Sequence, residues 1–176
     1  MKILKTKIKG LRIIKYKNHS DNRGYFKEIF KSKLFNNKNF IFWSLSMSKK
    51  NVIRGIHFQK KLAQDKYVSI IKGKVFDLVV DLRKKSKTYG KTFSIILSEK
   101  NNTSLFIPSG FGHGFCGLDK ENYVIYSCTK YRNSRTEEGI KFDDPFLKIK
   151  WPVKKPIVSI KDRKNISFTE YEKKNK

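Results

Sequence analysis

Residues 66–82, KYVSIIKGKVFDLVVDL, hold two apolar runs separated by Lys-Gly-Lys, which predicts two strands turning at Gly73. The grain continues through KTFSIILSE (91–99), TSLFIPSGFGHGFCGL (103–118) and YVIYSCTKY (123–131), short stretches rich in Phe, Ile, Val and Tyr. Gly, Asn, Pro and Asp punctuate them. Short strands at this spacing predict an all-β domain, a sandwich or a barrel. The segment KEIFKSKLFNNK (27–38) predicts one short helix, and DDPFLKIKWP, with its two prolines, a loop crossing the body. The polar end, about 168–176, predicts a frayed tail. There is no internal repeat and no linker-like stretch, so residues 1–176 are expected to form a single domain.

One strand carries polar atoms on its regular grain. In IYSCTKYRNSR (125–135), Tyr126, Cys128 and Arg132 fall on one face if the strand runs through them, because strand side chains alternate. That face is either ordinary core or the wall of a reaction pocket.

Composition narrows the classes. No run of 18 apolar residues exists, so no membrane-spanning helix is expected. The start, MKILKTKIKGLRIIKYK, is broken by lysines and lacks a signal-peptide apolar segment. The two cysteines, Cys116 and Cys128, have neither metal spacing nor a disulfide framework, which points to the cytoplasm. The net charge of +26 raises the question of nucleic acid. The lysines are scattered along the whole chain, however, and no nucleic-acid-binding signature accompanies them. A small polyanionic substrate is the better expectation.

Of the three histidines, His19 sits in a polar loop, KNHSDNRG. His57 follows Arg54 and Gly55 in VIRGIHFQ, and His113 lies in IPSGFGHGF, at a strand end bent by Pro108 and glycines. Many metal-binding β-barrels use two histidines spaced by one residue, with a carboxylate and a further histidine. His57 has no such neighbour, so no metal site is expected.

Several motifs occur in order: DNRGYFKE (21–28), KKNVIRGIHFQ (49–59), QDKYVSIIKGKVFDLVVDLRKKSKTYG (64–90), IPSGFGHGF (107–115) and EEGIKFDDP followed by IKWP (137–152). Together they resemble the dTDP-4-dehydrorhamnose 3,5-epimerase family over about residues 10–165. The resemblance implies a cupin jelly-roll barrel with a few short peripheral helices, normally a homodimer. It also implies an epimerase that uses no cofactor and acts on a nucleoside-diphosphate 4-keto-6-deoxy sugar. A ketone at C4 acidifies the hydrogens on C3 and C5, so inversion needs a base on one ring face, an acid on the other and a cation at the enolate oxygen. On the family's pattern His57 matches the base and Asp162 its orienting carboxylate. Tyr126 matches the acid and Lys66 the group at the C4 oxygen. His113 matches a second substrate-contacting histidine, with Asp77 able to orient a histidine. Arg23, Glu28, Ser44, Arg54, Arg132, Glu137 and Lys161 match substrate-binding positions. Cys128 is read either as a small buried hydrophobe or as a sulfur beside the acid that helps decide which carbon is protonated.

The expected base pocket departs from that pattern. FWS (Phe42 to Ser44) replaces a Gln-x-Asn stretch, and Arg132 stands where a tyrosine commonly stacks on thymine. A guanidinium suits the O6 and N7 acceptors of guanine. The sequence reading therefore favours a GDP-4-keto-6-deoxy-heptose of capsular or surface polysaccharide synthesis, inverted at C3 and with C5 left open. dTDP-4-dehydrorhamnose of L-rhamnose synthesis is the alternative. A sugar-nucleotide 3,4-ketoisomerase and a non-catalytic sugar-binding cupin stand further off, because His57, Tyr126 and Asp162 are all present.

Overall fold

The computed structural model describes residues 1–175. In chain order the strands are β1 (Lys2–Lys5), β2 (Arg12–Lys15), β3 (Asn18–Asp21), β4 (Gly24–Lys27), β5 (Phe42–Lys49), β6 (Val52–Gln59) and β7 (Lys66–Lys72). Then follow β8 (Lys74–Asp81), β9 (Thr92–Ser98), β10 (Thr103–Ile107), β11 (Phe111–Gly117), β12 (Glu121–Cys128), β13 (Glu137–Gly139) and β14 (Ile157–Val158). Two short helices, α1 (Ile160–Arg163) and α2 (Phe168–Lys174), end the chain. One sheet has the order β1-β2-β10-β7-β12-β5, and the other β13-β6-β11-β8-β9 with β14 added beside β6. β3 and β4 form a separate hairpin. This is the all-β cupin jelly roll expected from the sequence.

Three apolar clusters hold the layers. Val68, Ile70, Leu105 and Val124 of the first sheet meet Val75, Val79, Leu97 and Phe115 of the second between the sheets. Ile14, Phe35, Phe40, Tyr67 and Phe106 cover the outer face of the first sheet. Ile56, Phe58, Leu78 and Val80 pack outward from the second sheet against Ile140, Leu147, Phe168 and Tyr171. Strands covered on both faces read as continuous apolar runs, which is why VFDLVVD lacks strict alternation.

The hairpin turning at Gly73 is present, with φ of 83° at that glycine. Four expectations change. Stretch 103–118 is two strands, β10 and β11, because Pro108 to Gly110 break the ladder; His113 consequently lies inside β11, not at a strand end. The helix expected over 27–38 shrinks to one 3-10 turn at Ser32–Phe35, since Asn36 and Asn37 both adopt left-handed backbone (φ 53°) and stop it. His19 lies in β3 and not in a loop. The C-terminal segment is a packed helix instead of a frayed tail. Ser167 caps α2 with a reciprocal Glu170 capping box, and Phe168 and Tyr171 are buried beneath it. A polar sequence hid this helix because only two of its side chains carry the packing.

Phe168 is fully buried, stacks on Phe146 and touches Tyr171 and Tyr89. Phe168→Ala is expected to lower unfolding stability by about 3–5 kcal/mol in urea titrations. A frayed tail would show no change.

Candidate active site

The site forms where β6 passes over β11. Gly55 has φ of 122°, and a Cβ there would lie 2.6 Å from Gly114 Cα and 2.7 Å from His113 O, so only glycine fits. Register across this crossing is irregular: His57 pairs with His113, but Phe115 pairs with Arg54, two residues of β11 facing three of β6. This bulge lets Arg54 and His57, three apart in sequence, both line the pocket, which strict alternation forbids.

His57 Nε2 lies 2.6 Å from Asp162 Oδ1. Asp162 sits in the first turn of α1; its backbone N–H donates to the Ser159 cap at 3.0 Å, and its Oδ2 accepts from Gly55 N–H at 3.3 Å. Burial pushes the Asp162 carboxyl up, but the hydrogen bond and charge of His57 together with the Gly55 N–H and the Ser159 hydrogen bond outweigh it, and the carboxyl is held below its usual range. An ionised carboxylate at Nε2 draws the ring proton there, leaving the Nδ1 lone pair free to act as a base. Read alone, Asp162 looked like a surface charge; it is 4% exposed.

His113, the cross-strand partner of His57, bonds Asp77 Oδ2 at 2.9 Å, with both residues buried. Asp77 therefore orients His113, not His57. The His113 ring stands edge-on to Tyr126, 6.1 Å between centroids. Tyr126 projects from β12 in the opposing sheet. Burial, the largest influence, raises its phenol well above the ordinary value, so it keeps its proton.

The strand register sets the neighbours in this pocket wall. Tyr126 pairs with Val68 and Ser44; two residues along, Cys128 pairs with Lys66 and Phe42. Lys66 has no carboxylate in ion-pair contact among the described residues, and burial lowers its ammonium pKa. Burial likewise pushes the Cys128 thiol up to about 11, Lys66 opposing, so the sulfur in the pocket wall is a neutral thiol at neutral pH. β12 ends at Cys128, so Arg132 does not share its strand face as the alternation suggested. It lines the pocket from the irregular chain that follows β12.

At the mouth Arg132 donates to both oxygens of Glu137, from Nε at 3.0 Å and Nη2 at 2.7 Å, while Lys161 Nζ donates to Glu137 Oε2 at 3.0 Å. The Arg132 hydrogen bond, with that of Lys161, holds the Glu137 carboxyl down to about 2 despite burial. Arg132, expected to read guanine O6 and N7, instead commits Nε and Nη2 to Glu137 and is held as part of a carboxylate cluster. Arg54 also lines the pocket and donates to Ser48 Oγ at 2.8 Å.

The cavity, about 410 Å³, gathers His57, Lys66, His113, Tyr126, Cys128, Asp162, Arg54, Arg132, Glu137 and Lys161. Three expected residues stand outside it. Ser44 shares the β5 face, but Phe42 and Ser46 on either side of it line the cavity. Arg23, on the exposed β3–β4 hairpin, is tied to Asp21, and Glu28 just beyond that hairpin is paired with Lys31. Sequence reasoning missed Ser46 and Gln64. Gln64 lies two positions before Lys66, the one-face spacing that would have flagged it. Among the described residues no cluster of three or more His, Cys, Asp or Glu has the arrangement of a metal site, and no helix is long and apolar enough to cross a membrane.

The sequence model of the dTDP-4-dehydrorhamnose 3,5-epimerase family matches residues 5–170. A dTDP-4-dehydrorhamnose 3,5-epimerase of Methanothermobacter thermautotrophicus is 41% identical over 169 residues, covering 92% of this chain and 91% of its own. The crystal structure of the Elizabethkingia anophelis enzyme of that name superposes with a TM-score of 0.91 at 38% identity, covering 97% of each chain. A Legionella pneumophila 3,5-epimerase in complex with dTDP-4-keto-L-rhamnose superposes with a TM-score of 0.92 at 37% identity, covering 96% of this chain and 93% of its own. The arrangement of His57, Asp162, Tyr126 and Lys66 thus stands in a chain that belongs to the dTDP-4-dehydrorhamnose 3,5-epimerase family, an isomerase that inverts carbons of nucleotide-linked sugars.

Proposed function

We propose that this enzyme inverts C3 and C5 of a dTDP-4-keto-6-deoxy-hexose. The reading is carried by one observation: a carboxylate-oriented histidine on one sheet faces a protonated tyrosine on the other, across a pocket that also holds a desolvated lysine. His57 Nδ1 takes the proton from the carbon next to the ketone, and the electron pair moves onto the C4 oxygen. The Lys66 ammonium stabilises the resulting enolate. Tyr126 O–H then delivers a proton to the opposite ring face, which inverts the centre; His57 returns its proton to solvent and the phenolate is reprotonated. Opposite faces are the requirement, and opposite sheets supply them. His113, held by Asp77, and Arg54 contact the sugar, while Arg132 and Lys161 face the diphosphate with Glu137 fixing their positions. The dTDP form is favoured over GDP-heptose because the named relatives act on dTDP sugars and Arg132 is already forked onto Glu137. The free, buried state of Cys116 and Cys128 suits a reducing cytoplasm.

The positions of Arg23 and Glu28 support a homodimer. Their hairpin exposes Tyr25 and Phe26, and the outer face of edge strand β5 exposes Trp43, Leu45 and Met47. A second copy seated on that apolar face would carry its hairpin towards the neighbouring mouth, where Arg23 and Glu28 would meet substrate. Nothing in a single chain brings them there.

In deuterated water, His57→Asn is expected to abolish deuterium uptake at C3 and C5, lowering turnover by about 10²–10⁴-fold. Tyr126→Phe should retain uptake, since the base still exchanges the proton on its own face, but lose inversion. Asp162→Asn, which reverses the ring tautomer, should lower kcat by about 10⁴-fold. Uptake and inversion left intact in all three would remove these roles.

Calorimetric titration is expected to show dTDP binding more tightly than GDP, and the reverse order would restore the guanine reading. Light scattering should give a dimer. Mixing inactive Arg23→Ala and His57→Asn proteins should restore about a quarter of wild-type activity, because half the dimers are mixed and each carries one intact site. No recovery would place Arg23 outside the site.

A further inference from the structure

One hydroxyl in the wall beside the acid has no task in the fold. Ser46 lines the cavity from β5, and its Oγ is buried without a hydrogen-bond partner among the described residues. The strand register fixes its side. Ser46 pairs with Val124, which packs between the sheets, and Ser44 pairs with Tyr126, so Ser46 stands diagonal to Tyr126 on the same inward face. Two residues further along β5, Ser48 Oγ accepts from Arg54 Nε at 2.8 Å, and Met47 O accepts from Arg54 Nη2 at 3.2 Å, which holds the guanidinium beside Ser46. Burial is the largest influence on the Tyr126 phenol and raises it. The Ser46 hydroxyl acts most strongly against that rise, with the Arg54 charge on its side, while Asp77 and Cys128 add to the rise. His113 on β11, Lys66 on β7 and His57 on β6 are the other titratable groups that share this part of the wall. A buried hydroxyl without a partner is unfavourable in the resting fold and calls for a functional reason.

We propose that Ser46 is a positioning residue for the acid: its O–H turns onto the Tyr126 oxygen as the phenol gives up its proton, and it holds the phenolate until solvent restores that proton. This rests on the epimerase reading given above. In the transfer the phenol O–H bond breaks, the enolate's electron pair forms the new C–H bond on the ring face opposite His57, and the negative charge passes to the tyrosine oxygen. A proton from water then re-forms the phenol. A hydroxyl hydrogen rotates to suit its surroundings, so Ser46 can meet the oxygen once it becomes anionic. A hydrogen bond to a charged oxygen is roughly twice as strong as one to a neutral oxygen. The contact therefore strengthens as the proton leaves, and its effect falls on turnover and not on substrate binding. Ser44, the direct strand partner of Tyr126, stands outside the cavity lining, which leaves Ser46 as the β5 hydroxyl placed for this role.

The first measurement needs no turnover. Tyr126 is replaced by a fluorinated tyrosine, whose more acidic phenol titrates in an accessible range, and its fluorine resonance is followed against pH with Ser46 present and in Ser46→Ala. The midpoint is expected to rise by about 1–2 pH units in Ser46→Ala, because the phenolate loses a hydrogen bond to its charge. Ser46→Thr, which keeps the hydroxyl, should restore it. An unchanged midpoint overturns the proposal. The second measurement follows a dTDP-linked 4-keto-6-deoxy sugar in deuterated water. Ser46→Ala should lower kcat for inversion by about 10–100-fold with KM unchanged, and deuterium uptake on the base's face should persist. The fluorinated tyrosine should recover most of that loss, since a stronger acid needs the donor less. No recovery, or a raised KM at constant kcat, removes Ser46 from the acid. If protein with Ser46 and Tyr126 intact neither exchanges nor inverts the sugar, the epimerase reading fails, while the fluorine titration still decides on Ser46. Removing an unpartnered hydroxyl should leave unfolding stability unchanged or raised, and a loss of stability would assign the hydroxyl to the fold instead.

Discussion

The close passage of β6 over β11 at Gly55 is the constraint on which the site depends. With no side chain at Gly55, the backbones approach until a Cβ would overlap Gly114. The bulge at this crossing sets His57 opposite His113 and turns Arg54 into the same cavity. It also presents Gly55 N–H to Asp162, so one backbone irregularity places the base and anchors the group that orients it. Bulges of this kind re-aim side chains where a regular ladder would send them to the wrong face. The opposing sheet needs no such device, since Tyr126, Cys128, Lys66 and Phe42 follow from plain alternation and register.

That division also explains what the sequence could reveal. The hairpin at Gly73, the inward face of Tyr126 and Cys128, and the all-β class follow from period-two patterning, a local property. The family's motifs then located His57, Asp162 and Lys66, which patterning alone leaves as ordinary residues. Tertiary partners decided the remainder. Helix α2 is held by Phe168 and Tyr171 against a cluster built from distant strands, so its polar sequence looked disordered. Arg132 was assigned to base recognition by its residue type, but its partner Glu137 is set by β13 lying beside β6. Arg23 and Glu28 lie on or next to a hairpin that one chain leaves in solvent.

Acid and base strengths in the pocket follow from the same packing. Burial keeps the Tyr126 phenol and the Cys128 thiol protonated, so neither competes with His57 for a carbon-bound proton. Asp162 resists that burial because His57, the Gly55 N–H and the Ser159 hydrogen bond favour its charged form. Two ionisable groups pushed in opposite directions within one cavity define which is the acid and which the base assembly.

The distribution of acidic groups completes the argument. The chain carries 41 Lys and Arg against 15 Asp and Glu, so carboxylates are scarce. Around the cavity each one is tied to a named cation or imidazole: Asp162 to His57, Asp77 to His113, Glu137 to Arg132 and Lys161. Lys66 lines the same cavity with no carboxylate in ion-pair contact among the described residues. An ammonium desolvated in this way is costly in the resting enzyme and gains most when a negative charge arises beside it. The enolate oxygen is that charge, present in the transition state and absent from the ketone, so the unpaired lysine acts on the barrier more than on substrate binding.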